Sequence, residues 1–139
     1  MGDRLRPLWE FDDLDASERR FEDQLTRETS GAGRAEVLTQ LARVQGLRGR
    51  FAEGDRLIDQ AQALSDGSAA VEARIQMERG RLRNSSGDAG EYEAALEAFQ
   101  RALASRERYP EMPALIQHAK EAVAEALRAL GREEEASRL

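Results

Sequence analysis

Few residues in this chain are equipped for chemistry. His118 is the one histidine, and there is no cysteine. A metal site would have to gather carboxylates around that single imidazole, and a catalytic triad would need a serine placed beside it. Asp12, Asp13 and Asp15 cluster near the start, but the segment lacks the glycine and the terminal bidentate glutamate of a calcium loop. Arg79, Arg81 and Arg83 precede Asn84, Ser85, Ser86 and Gly87, groups that could approach a phosphate. No Walker spacing accompanies them, and alternate residues of a helix do not share a face. No pair of carboxylates stands out for general acid–base work. The reading that follows is of a protein that is not an enzyme and needs no metal or cofactor. His118 then stands as a partly exposed structural residue beside Leu115 and Ala119.

Composition narrows the class further. Charged residues make up 35% of the chain and aromatics 5%, with three prolines, which favours helices with a well-solvated surface over a sheet. Residues 1–32 hold nine acids against five arginines, residues 33–110 are balanced, and the whole chain carries −6. Nucleic-acid binding needs a positive face, so a nucleic-acid partner is disfavoured. No apolar run approaches the ~18 residues of a membrane span. No basic segment followed by an apolar one opens the chain. The expectation is a soluble cytoplasmic protein with no membrane partner.

What must position any binding residues is a repeat. Phe51, Gly54, Ile58 and Ala61 recur 41 residues later as Tyr92, Ala95, Phe99 and Ala102, with a fainter third copy at Glu133 and Ala136. Leu41, Leu82 and Val123 keep the same spacing. Fixed-period similarity of this size marks stacked supersecondary units, each too small to bury its apolar face alone.

Apolar periodicity predicts helices near 16–29, 34–48, 50–64, 68–83, 91–108 and 113–130, and a short one to Leu139. Asp15 and Glu18 have the spacing of a capping box at the first helix. Ser30, Gly31 and Gly33 read as a break after it, and Asn84–Gly90 as a loop. Helix four is the least regular, with Val71, Ile75 and Leu82 on one side and Met77 off it. Tyr109–Pro113 reads as a stiff connection, with Pro113 suited to a helix first turn. Trp9 and Phe11, in the irregular acidic leader, are expected to dock on the protein's own first helices and cover the end of the stack.

These helix pairs resemble the tetratricopeptide repeat. Leu38, Leu41 and Ala42 match its first-helix positions, Gly49 its turn glycine, and Phe51, Gly54, Ile58 and Ala61 its aromatic, small, large, small second-helix signature. The period of 41 exceeds the family's 34 and also admits HEAT-like units; the second-helix signature favours the former. The resemblance covers residues 34–139. It implies an all-α, right-handed helical-hairpin solenoid of about three repeats, with residues 1–33 as an acidic segment and capping helix.

In that family the first helices line a concave groove that holds a peptide or partner helix. Carried over by position, the groove would present Glu36, Thr39, Gln40, Arg43 and Leu47 from the first repeat. Arg79 and Arg83 are candidates from the second, whose register is ambiguous. His118, Glu121, Glu125 and Arg128 come from the third. The implied function is a protein–protein interaction module or adaptor. The rivals are a self-associating unit that pairs with a second copy, and a phosphate or nucleic-acid binder using the arginines of helices four and five.

Overall fold

The computed structural model describes residues 4–86, 89–108 and 113–139. Among them there is no strand: a 3-10 turn at Arg6–Leu8 precedes α1 (Leu14–Arg27), α2 (Gly31–Leu47), α3 (Phe51–Leu64), α4 (Ala69–Ser86), α5 (Ala89–Glu107), α6 (Pro113–Ala129) and α7 (Glu133–Ser137). The all-helical expectation holds. Three local readings need correction. The cap of α1 is Asp13, whose Oδ1 accepts from the Ala16 N–H at 3.0 Å, so Asp15 lies inside the first turn. Ser30 does not end a helix but starts one: its Oγ accepts from the Gly33 N–H at 2.9 Å, and both glycines belong to α2. The division at residue 33 therefore falls in the first turn of a helix. Finally, α4 runs on through Asn84 to Ser86, so most of the expected loop is helical. Gly87 and Asp88 of that loop, and Tyr109–Met112 of the stiff connection, lie outside the described residues.

The repeat is written in the backbone as well as in the side chains. After α2 the Arg50 N–H reaches Gln45 O at 2.8 Å and the Gly49 N–H reaches Gly46 O at 3.0 Å. After α6 the Arg132 N–H reaches Leu127 O at 2.8 Å and the Gly131 N–H reaches Arg128 O at 3.0 Å. These paired bonds close a helix through a left-handed residue, and Gly49 (φ +78°) and Gly131 (φ +77°) supply it without a Cβ penalty. The two turns stand two 41-residue periods apart. The repeat positions share burial too: Ile58 with Phe99, Ala61 with Ala102, and Gly54 with Ala95 and Ala136 are all buried.

Two apolar clusters make the core. One joins Leu5, Phe21, α2, α3 and the Val71, Ile75 and Leu82 face of α4. The other joins Met77 of α4 to α5, α6 and Ala136 of α7. The irregular pattern of α4 has its cause here: the helix serves two cores on two of its sides, so no single stripe can describe it. The leader and α1 share the first cluster with α2–α4 across residue 33. α2 is buried on nearly every face, by the leader, α1, α3 and α4.

Glycines set the closest approaches. A Cβ built on Gly80 would lie 2.5–2.9 Å from the Phe99 ring, so α4 and α5 meet over a bare backbone. Gly80→Val is expected to destabilise the chain by roughly 1–3 kcal/mol, because the extra volume has nowhere to go. In a Phe99→Leu background the same change should cost measurably less. Urea unfolding followed by circular dichroism measures both. Equal costs in the two backgrounds would show that Phe99 does not occupy the space over Gly80.

Candidate partner-binding groove

The leader is tied down by polar and aromatic contacts. The Trp9 ring stacks on Phe11, with centroids 4.7 Å apart and planes 2° from parallel, and meets Phe21 edge-on at 5.0 Å. Trp9 Nε1 donates to Gln40 Oε1 at 2.8 Å. Ser17 Oγ accepts from the Glu10 N–H at 2.7 Å and donates to Glu10 O at 2.9 Å. Arg4 reaches both oxygens of Glu28 at 3.0 Å and Glu36 at 3.2 Å. The expected self-docking of Trp9 is observed. Phe11 is half exposed, at 50%.

Beside the leader lies a groove of about 1140 Å³. Gln40, Arg43 and Leu47 come to it from α2, Arg74, Glu78 and Arg81 from α4, and His118, Glu121 and Glu125 from α6. Arg6 and Phe11 of the leader and Arg106 of α5 complete the rim. The charge is polarised. The α2–α4 side, with Arg6, carries four arginines against Glu78, and the α6 side carries Glu121 and Glu125 with Arg106 of α5, which donates to Leu115 O at 3.1 Å.

Six of the eleven residues nominated from the sequence line this groove: Gln40, Arg43, Leu47, His118, Glu121 and Glu125. The other five do not. Thr39 is fully buried and its Oγ1 donates to Glu36 O at 2.6 Å, so it has no side chain to offer a partner. Glu36 is spent between Arg4 and Arg74, the latter at 2.8 Å. Arg79 and Arg83 turn towards α3, at 3.3 Å from Asp59 and 3.8 Å from Asp55. Arg128 pairs with Glu133 at 3.3 Å. Even Gln40 is 6% exposed, held by Trp9.

The residues of α4 that face the groove were missed. Arg74, Glu78, Arg81 and Ser85 follow i, i+4, i+7, i+11, one stripe of a helix, and that spacing is present in the sequence. Choosing it over the Arg79 and Arg83 stripe needs knowledge of which side α3 takes.

Arg43 is the least conventional group in the groove. Its guanidinium carbon lies 5.1 Å from the Trp9 ring centroid and 5.2 Å from that of Phe11. Burial holds its pKa below the ordinary arginine value; nearby Glu78 opposes the shift, and the like charges of Arg81 and Arg6 add to it. Glu78 is 1% exposed and is committed to Arg81 by an ion pair. Its second oxygen, Oε2, and Asn84 Oδ1 have no hydrogen-bond partner among the described residues.

Among the described residues no three His, Asp or Glu side chains are placed to hold a metal ion. No helix among them is long and apolar enough to cross a membrane. No protein-family model matches the chain, and no curated protein matches it.

The Trp9–Gln40 hydrogen bond anchors the leader over the groove end. Trp9→Phe keeps an aromatic ring but removes the donor from a buried acceptor, at an expected cost of roughly 1–3 kcal/mol. Chemical denaturation followed by far-ultraviolet circular dichroism reads this directly. A midpoint unchanged from the parent chain would show that the bond adds nothing to stability.

Proposed function

We propose that this chain is a protein-interaction module, an adaptor without catalytic activity, that holds a peptide or partner helix in the groove between α2, α4 and α6. The observation that carries the reading is the groove itself. Three helices separated in sequence send polar, charged and apolar side chains into one concavity of about 1140 Å³. Concave sites with a few convergent polar groups are where ligands bind. Leu47, 53% exposed at its edge, offers apolar area for an anchor residue.

The same reading takes α2–α3, α4–α5 and α6–α7 as hairpins of a right-handed, tetratricopeptide-like solenoid, with the leader and α1 as its cap. The matching turns at Gly49 and Gly131 support it, as does the groove drawn from the first helix of each hairpin. An adaptor would use these inner helices as its reading face.

The test is selection of short linear peptides by display on the immobilised full chain. Selected peptides are expected to bind Leu47→Glu at least about tenfold more weakly. They should bind Arg56→Ala, altered on an exposed surface pair with Glu53, as well as the parent. Equal affinity for Leu47→Glu would move the site off the groove. Sedimentation that reveals a concentration-dependent dimer, abolished by Leu47→Glu, would make the groove a surface for a second copy instead.

A further inference from the structure

We propose that Arg43, held by the leader's Trp9–Phe11 pair, is an anchoring site for an aspartate or glutamate carboxylate of a bound peptide, so that the leader is part of the receptor and not only a cap. This rests on the reading of the groove as a peptide site.

The argument begins with the company Arg43 keeps. The guanidinium carries five N–H donors in a planar fork suited to a carboxylate. Among the described residues no hydrogen bond or ion pair reaches it. Arg43 lines the groove, and none of its nitrogens is fully occluded. What orients it is the aromatic pair, through the attraction of a cation to ring electrons. An aromatic contact positions a guanidinium without consuming the hydrogen-bonding capacity that a carboxylate partner would take up.

The neighbours leave a net positive charge around Arg43. Glu78 is the one carboxylate on this side of the groove, and it is bound to Arg81. Arg6 and Arg81 lie close enough to add to the positive potential at Arg43. An incoming carboxylate therefore meets Arg43, Arg6 and Arg81 against the single anion Glu78, which pairs with Arg81 through one oxygen. Charge-assisted hydrogen bonds to such a fork are short and strong, and bidentate geometry adds selectivity over a neutral amide. Half-exposed Phe11 and Leu47 flank the site, so an apolar residue near the acid completes the match.

Phe11 is a positioning residue in this account, and its role separates the proposal from a general attraction of acids to a basic patch. Peptides selected on the full chain as above are the probe. They are expected to carry an Asp or Glu whose change to Asn or Gln weakens binding about tenfold or more. Arg43→Gln should erase that acid–amide difference. Arg43→Lys keeps the charge and stem but not the fork, and should shrink it; this variant carries the test if Arg43→Gln does not fold. Phe11→Leu should shrink the difference several-fold while peptides lacking the acid bind as before, which lost folding could not produce.

Binding that persists without any acid dependence, or an acid dependence that survives Arg43→Gln, would overturn the proposal and leave the groove reading standing. Displacement of the peptide by inorganic phosphate as effectively as by an acidic peptide would overturn it in favour of a phosphate site. Failure to select any groove-dependent peptide would remove both readings.

Discussion

The structure turns on one side chain in a notch. Leu82 of α4 packs where α2 and α3 are both glycine: a Cβ on Gly46 would stand 2.9 Å from its Cδ2, and one on Gly54 2.6 Å. A Cβ at either position would force the Leu82 side chain to shift from this seat. With Leu82 seated, Arg74 meets Glu36 on one flank and Arg79 meets Asp59 on the other. The rotation of α4 about its own axis is then set. That rotation places Arg74, Glu78 and Arg81 in the groove and gives Met77 to the second core. The groove is thus a consequence of close packing on its far side.

The leader adds a second layer of control. It is acidic, short and mostly irregular, yet it buries Leu5 and reaches across α2 through Trp9. Its aromatic pair meets Phe21 and Gln40 through Trp9, and the Arg43 guanidinium carbon lies 5.1 and 5.2 Å from the two rings. One segment thereby both packs against the first core and lines the groove.

Much of this was legible in the residues. The 41-residue spacing identified Gly54, Ile58, Ala61 and their partners as interior positions, because their size pattern only makes sense where helices touch. Gly49 marked a turn for a different reason, because a helix that closes through a left-handed residue favours glycine there. The readings that failed are those decided by distant chain. Thr39 and Gln40 look like an exposed polar stripe within α2, and only the docking of Trp9 and α4 makes them interior. Arg79 and Arg83 looked like groove residues because α4 divides its apolar side chains between two cores, which leaves its inward face ambiguous. The capping of α1 by Asp13 was obscured by a rival acid two residues on that has the same chemistry and a suitable glutamate after it. Six groove residues were therefore found, all of them on α2 and α6.

The division of α4 between two cores has a mechanical consequence. In a stack of hairpins, stability passes between neighbours only through shared interfaces, and here the two apolar clusters share one helix. The amino-terminal part, with its enclosed α2 and docked leader, packs against the Val71, Ile75 and Leu82 side of α4. The carboxy-terminal hairpins inherit their order through α4 alone. Opening should therefore spread inward from α7 and stop at the Leu82 notch, making the α6 wall the groove's more compliant jaw and the α2 wall its anvil.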